Sequence, residues 1–242
     1  MGCSRGIVGI YNIDGKPVEP KSLQHMVDRL AYRGPDRQSI LIKDYVGFGH
    51  TLFRTTYESV NEQQPYTLDD KVLITADARI DSRNTLISLL KSKGCNVSHD
   101  LPDVNLILHA YQVWNEDCVK YLLGDFVFAI WDKKEEKLFC ARDHFGVRVL
   151  YYTYSVNSLV FSNTLNCLRS YPGTTNKLNE QSIGDFLLFG THTWIDKSST
   201  IFADIHKLPP AHTLTWNHSG LKVKRYWDIP LNVPVLNYRF GK

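Results

Sequence analysis

Cysteine and histidine are the side chains of this sequence best suited to covalent or metal chemistry, and their spacing excludes more than it suggests. The five cysteines, Cys3, Cys95, Cys118, Cys140 and Cys167, contain no C-x-x-C pair and are odd in number, so neither a zinc ligand set nor a complete disulfide framework is expected. The nine histidines, among them His50, His109, His144 and His212, show no H-E-x-x-H or other ligand spacing, and no metal site is expected. A thiol becomes a nucleophile when a base stands beside it, and a free α-amine, with a pKa of about 7.7–8.0, is such a base. Only Cys3 lies near the amino end, and removal of Met1 would expose Gly2 and leave the Cys3 nitrogen acylated. The stretch Arg142-Asp143-His144-Phe145-Gly146 lacks the Gly-Lys-Ser/Thr ending of a phosphate loop and reads as a tight turn between strands. Glu135-Glu136 sits in a lysine-rich turn and reads as a solvated loop. Met1-Gly2-Cys3 has Gly6 where a myristoylation signal needs Ser or Thr, so acylation is not expected.

Positioning any such groups requires a folded scaffold, and the composition supplies one. The 242 residues are 43% hydrophobic and 22% charged, enough for a sizeable core in one large or two small domains, which excludes disorder. No stretch approaches the roughly 18 apolar residues of a spanning helix, and the amino end carries no basic region followed by an apolar one. The expectation is a cytoplasmic chain without a membrane partner. Lys plus Arg is 28 against 25 acids, and no basic run exceeds two residues, so nucleic acid is not expected as a partner either.

Leu23, Met26, Val27 and Leu30 repeat at helical spacing after the cap candidate Ser22, and Arg33-Gly34-Pro35-Asp36 ends that helix. A second helix is expected from a cap at Asp81 through Leu86, Ile87, Leu89 and Leu90 to Gly94, and a third from Asp103 to Trp114. Asn179 caps a fourth, carrying Ile183, Phe186, Leu187 and Leu188. Strand character marks Val46–Phe53, Lys71–Ile80, Phe126–Trp131, Lys137–Ala141, Val149–Ser155 and Ser158–Ser162, with a hairpin tip at Asn157-Ser158. A further hairpin is expected from Thr213–Trp216 and Leu221–Tyr226. Phe126-Val127-Phe128-Ala129-Ile130-Trp131 is apolar throughout, as a strand covered on both faces should be. Helices in pairs and strands in hairpins argue for an α+β fold. From Asp228 to Lys242 there is no periodicity, and residues 229–242 read as the start of a linker.

Seven short stretches carry the functional signal together: Gly6-Ile7-Val8-Gly9-Ile10-Tyr11, Arg33-Gly34-Pro35-Asp36, Gly49-His50, Gly124-Asp125-Phe126-x-Phe128-Ala129-Ile130-Trp131-Asp132, Arg142-Asp143-His144-Phe145-Gly146, Leu208-Pro209-Pro210-Ala211-His212 and Arg225-Tyr226-Trp227-Asp228. In this order and spacing, over residues 5 to 228, they resemble the amino-terminal class II glutamine amidotransferase domain of the asparagine synthetase family. The resemblance implies a four-layer αββα sandwich of the N-terminal-nucleophile type, with a glutaminase-like domain over residues 1–228. In active members a leading cysteine stands directly before the Gly-Ile pair and attacks the glutamine side-chain amide, releasing ammonia for a synthetase domain.

Position by position, the resemblance implies a degenerate site. Arg5 stands where the nucleophile belongs, and a guanidinium that is always protonated cannot attack an amide. Leu52 replaces the arginine that clamps the substrate carboxylate; Arg54, two residues further along the same strand and on the same face, is expected to substitute for it in part. The Asn-Gly-Glu of the oxyanion hole is Asp77-Ala78-Arg79, and an ionised aspartate offers no donor. Asp103 matches the aspartate that receives the substrate ammonium. Arg5 and Arg79 are expected to fill the old pocket and pair with Asp77 and Asp103.

Relatives lacking the leading cysteine include β-lactam synthetases and lasso-peptide cyclases, whose substrates bring their own amine; Leu73–Asp81 and Thr55-Thr56-x-Glu58-Ser59 look most like the cyclases. The expected function is thus a silent, scaffolding domain of an asparagine-synthetase-related amide ligase. Its partner is a carboxy-terminal synthetase domain, in cis or in trans, with a peptide as a further candidate partner. ATP and magnesium belong to that synthetase domain, whose Ser-Gly-Gly-x-Asp-Ser motif does not occur in these 242 residues, and no cofactor is expected in this chain. The alternatives are an active glutaminase using Cys3 and a stand-alone peptide-binding module.

Overall fold

The computed structural model describes residues 5–190 and 196–231. The first part of the chain forms strand β1 (Gly6–Asn12), helix α1 (Pro20–Asp28), strands β2 (Arg37–Lys43), β3 (Val46–Leu52), β4 (Tyr66–Thr67) and β5 (Val72–Ile80), then helices α2 (Arg83–Ser92) and α3 (Asp103–Trp114). Strands β6 (Gly124–Asp132), β7 (Lys137–Arg142), β8 (Tyr151–Tyr154) and β9 (Ser158–Ser162) follow, then helices α4 (Leu165–Arg169) and α5 (Glu180–Phe189). Strands β10 (His206–Lys207), β11 (His212–Asn217) and β12 (Gly220–Arg225) complete the described elements. The strands form two six-stranded antiparallel sheets, in the orders β10-β8-β9-β1-β3-β2 and β12-β11-β7-β6-β5-β4.

Three apolar cores stack these sheets between helices, as an α+β sandwich of four layers requires. The alternation of β6 explains why its sequence is apolar throughout: Phe126, Phe128 and Ile130 pack on α2 and α3, while Val127, Ala129 and Trp131 face the other sheet. In the first sheet, Ile7 and Tyr11 join the inter-sheet core, and Val8 and Ile10 pack on α1 with Leu23, Met26, Val27 and Leu30. Between Ile7 and Tyr11 lies Gly9, where an added Cβ would stand 2.2 Å from the Phe161 ring and 2.9 Å from that of Phe48. Those two rings meet edge to face at 5.4 Å, in the space that Gly9 leaves open.

Most expected elements are present, with differences at their ends. α1 starts at Pro20, whose fixed φ suits the first turn; its N-cap is Glu19, and Ser22 donates to the Glu19 carboxylate (2.7 Å) from inside the helix. α2 has Ser82, not Asp81, at its N-cap, because Asp81 is held by Arg79. α3 covers Asp103–Trp114, and Asn179 caps α5 by accepting from the Ser182 N–H (3.1 Å). The β8–β9 hairpin closes with Ser155 N–H donating to Ser158 (2.8 Å), so Ser158 is already strand and the tip is one residue earlier than expected. β2 lacks a sequence signal because it is an edge strand with half-buried apolar residues. Of the expected linker, residues 229–231 carry no helix or strand and 232–242 lie outside the described residues.

Gly9→Ala is expected to lower stability by about 1–3 kcal/mol through overpacking against Phe48 and Phe161, measured by urea unfolding; an unchanged midpoint would show that the two rings can yield without loss.

Candidate functional site

Arg5 precedes the central strand of the first sheet, and the neighbouring strands fix its main chain. Gly6 N–H donates to Thr51 Oγ1 (3.0 Å) on β3, and Ile7 N–H to Asn163 Oδ1 (3.1 Å) just past β9. The Arg5 carbonyl accepts from Asn163 Nδ2 (2.7 Å) and Arg33 Nε (3.2 Å). Arg33 comes this close because an added Cβ on Gly34 would lie 2.3 Å from the Thr51 carbonyl, an approach only glycine allows. Thus bound, the Arg5 guanidinium crosses toward the second sheet. Nη1 donates to the Ala78 carbonyl (3.0 Å), and Nη2 pairs with Glu62 Oε2 (2.8 Å).

Glu62 is itself held. Gln64 donates to its other oxygen (2.6 Å), accepts from Ala76 N–H (2.6 Å) and returns a bond to the Ala76 carbonyl (3.0 Å). Asp77 follows on β5 with only 1% of its side chain exposed. Its carboxylate accepts from the Arg5 backbone N–H (3.3 Å) and from Asn163 Nδ2 (3.4 Å), with Arg148 Nη1 at 3.7 Å and Arg33 Nη2 at 4.0 Å. Burial pushes the Asp77 carboxyl up, and Arg148, Arg5 and Arg33 pull it back toward the charged form. Glu62 feels the same opposition between burial and Arg5. Full burial, with Arg5 beside it, drives His50 down to about 3, so this imidazole is neutral, and its Nε2 has no partner.

The expected site residues come together only in part. Arg5, Asp77 and Ala78 do meet, although Arg5 reaches Asp77 through its main chain and gives its guanidinium to Glu62, not to Asp77 or Asp103. The expectation that Arg79 fills the pocket is corrected: its side chain is 69% exposed and pairs with Asp81 (3.2 Å). It shares the inter-sheet face with Asp77 by strand periodicity, but it stands at the rim, one residue from the end of β5. Asp103 is held instead by Ile80 N–H (3.2 Å) and by Arg83, a first-turn residue of α2 that also bonds the carbonyls of His99 and Leu101. Arg54 is likewise exposed, because β3 ends at Leu52 and strand alternation stops there; its backbone N–H bonds Asp36 (2.7 Å). Leu52 is buried and apolar. Glu62, Gln64, Arg148, Asn163 and Arg83 carried no recognised signal, whereas Arg33 and His50 lay within motifs.

Chemically, the arrangement neutralises buried charge. Among the described residues, Cys118, Cys140 and Cys167 are buried in apolar surroundings that push their thiols up, Cys167 to about 12, so none is a ready nucleophile. Cys95 is half-buried at the far end of α2. Cys3, the remaining candidate, lies outside the described residues. Five surface clefts are lined by none of Arg5, Glu62, Asp77 or His50.

The family model described as "Glutamine amidotransferase domain" matches residues 3–227. Asparagine synthetase [glutamine-hydrolyzing] 3 of Bacillus subtilis is 29% identical over 228 residues, covering 93% of this chain and 36% of the relative. A putative asparagine synthetase [glutamine-hydrolyzing] 2 of Methanocaldococcus jannaschii is 28% identical over 249 residues, covering 95% and 48%. The chain thus spans about a third to a half of the length of these relatives. Among solved structures, glutamine phosphoribosylpyrophosphate amidotransferase from B. subtilis superposes with a TM-score of 0.63 at 15% identity, over 91% of this chain and 49% of that one, a likeness of fold.

Removing one partner of the buried Arg5–Glu62 pair strands the other. Arg5→Met is expected to cost about 3–5 kcal/mol in urea unfolding, and the Arg5→Met/Glu62→Met double variant to recover much of that loss; strictly additive losses would rule out the coupling. For His50, whose pKa falls from 6.5 to about 3 on folding, the unfolded chain binds more protons across that window. Stability contributed by the neutral imidazole is therefore lost as pH falls below about 6.5, by about 2 kcal/mol at pH 5. His50→Gln is expected to flatten the curve by that amount relative to the parent, with the carboxylates common to both chains.

Proposed function

The chain belongs to the glutamine amidotransferase domain family, and from that premise we propose that it is the silent amidotransferase segment of an asparagine-synthetase-related, ATP-dependent amide ligase, serving as a scaffold. One observation carries the proposal: the Arg5 guanidinium, placed before the Gly6-Ile7 strand start, lies between Glu62 and the Ala78 carbonyl. A nucleophile at this position would need a lone pair and a base, and a guanidinium has neither at physiological pH. Asp77 adds a second obstacle. A carboxylate beside a developing oxyanion repels it, and loss of one donor from such a hole costs about 2.7–4 kcal/mol of activation free energy.

With the ammonia-releasing step removed, the acceptor amine must come from the substrate. That requirement suits a parent ligase of the β-lactam synthetase or lasso-peptide cyclase kind, in which an activated carboxylate is captured by an amine already on the substrate, with a peptide as candidate substrate. Support for a synthetase partner, in cis or in trans, comes from the relatives, in which the matched part is 36% and 48% of the polypeptide. ATP and magnesium are assigned to that partner. Among the described residues no group of three or more His, Cys, Asp or Glu side chains could hold a metal ion. What this chain's residues do in the proposal is structural: Arg5, Arg33 and Arg148 neutralise Asp77 and Glu62 and keep the former reaction face closed. The free thiols suit a reducing cytoplasm, where we place the protein.

Incubation with glutamine, followed by a coupled assay for glutamate, is expected to give no turnover above a buffer control, and Cys3→Ala is expected to change nothing. Glutamate production abolished by Cys3→Ala would contradict the proposal directly.

A further inference from the structure

At the end of the sandwich away from Arg5, several chain turns converge on a cleft with a chemistry of its own. Tyr11 lies six residues beyond Arg5 along β1, roughly 20 Å in an extended strand. The residues after β1, Tyr45 between β2 and β3, Glu136 between β6 and β7 and His218 between β11 and β12 line a cleft of about 350 Å³. That size falls within the range of small-ligand sites. Tyr11, Tyr45 and Trp216 supply aromatic rings to the lining, and no lysine or arginine lines it among the described residues. The Tyr11 and Tyr45 rings meet edge to face, inclined at 70° with centroids 5.9 Å apart.

The formal charge at this cleft is negative. Glu136 Oε2 accepts from His218 Nε2 (2.7 Å), its one ion-pair partner among the described residues, and its side chain stays half exposed. Burial pushes the Tyr11 and Tyr45 phenols up, and the charge on Glu136 adds to the shift at both, so this carboxylate acts on both rings. Asp44 adds to it again at Tyr45. Asn12 uses its Nδ2 hydrogens on the Lys16 and Pro17 carbonyls (2.8 and 3.2 Å), which leaves its oxygen as an acceptor. Aromatic faces carry partial negative charge, so rings beside a carboxylate attract an organic cation and disfavour an anion. Sealing the end of the inter-sheet core explains why Tyr11 and Trp131 are buried there, but it does not call for a carboxylate with no lysine or arginine paired to it.

We propose that this cleft binds an organic ammonium group, held by the rings of Tyr11, Tyr45 and Trp216 with Glu136 as its counter-charge. Two sources share that chemistry: a small quaternary ammonium ion, and a primary alkylammonium of the kind a lysine side chain carries. A quaternary group relies on the rings and the charge alone. A primary one also donates hydrogen bonds, for which Asn12 Oδ1 and the Glu136 carboxylate are acceptors. The inference stands apart from the Arg5 cluster at the other end of β1, and it holds whether or not that cluster is silent toward glutamine.

The test is isothermal titration of the full chain with choline, with n-butylammonium and with neopentylcarbinol, the uncharged carbon isostere of choline. At least one of the two ammonium ions is expected to bind saturably with a Kd of about 1 mM or tighter, and the neutral alcohol not to bind. Glu136→Gln is expected to weaken the ammonium ion by about fivefold or more. Because Glu136 is half exposed and glutamine can still accept from His218, this variant should keep the parent's thermal midpoint, so the loss reads charge and not folding. Tighter binding of choline supports the proposal with a quaternary occupant, and tighter binding of n-butylammonium supports it with a lysine-like one. Equal binding of the neutral alcohol, no saturable heat from either ammonium ion, or ammonium binding unchanged in Glu136→Gln overturns it.

Discussion

A carboxylate held almost completely out of water between two β-sheets is the constraint on which this structure turns. Burial pushes the Asp77 carboxyl toward its neutral form, and Arg148 and Arg33 within 4.0 Å, with the Arg5 main chain and Asn163 donating to it, oppose that shift. Its neighbour Glu62 depends in the same way on Arg5 and Gln64. Unpaired, either carboxylate would carry a desolvation penalty of several kcal/mol, which the pairing and hydrogen bonds offset. The cluster is a closed arrangement in which each charge has been given a partner from a different part of the chain.

Topology makes that possible. β1 runs between β3 and β9, which fixes where Arg5 begins, and β5 in the facing sheet presents Asp77 and the Ala78 carbonyl opposite it. The residues that converge are spread from Arg5 to Asn163, so the cluster exists only once both sheets have formed and stacked. Glycine at positions 9 and 34 permits the close approaches, one between aromatic rings and strand, the other between the Arg33 turn and β3.

Much of this was legible in the sequence where a local pattern carried it. The six-residue apolar run of β6 announced a strand covered on both faces, and Asn179 announced the start of α5, because each signal is complete within a few residues. The partners of the cluster were less legible for a physical reason: Glu62, Arg148 and Asn163 sit in connections or at element ends, where no period constrains them. Arg79 shows the converse failure. Strand periodicity put it on the face of Asp77, but periodicity says nothing about where the sheet ends and solvent begins. Arg54 fails for the same reason, two residues beyond the last paired residue of β3.

The chain keeps the layers of the amidotransferase fold, and where its first sheet begins it carries a buried cluster of Arg5, Glu62, Asp77 and Asn163. The central claim is that Arg5 occupies the space where glutamine would be attacked. The most direct measurement is a crystal structure of the chain grown with saturating glutamine. The account predicts density for the Arg5 guanidinium bonded to Glu62 and to the Ala78 carbonyl, with no glutamine beside Asp77. Glutamine bound there, with Arg5 displaced toward solvent, would contradict it.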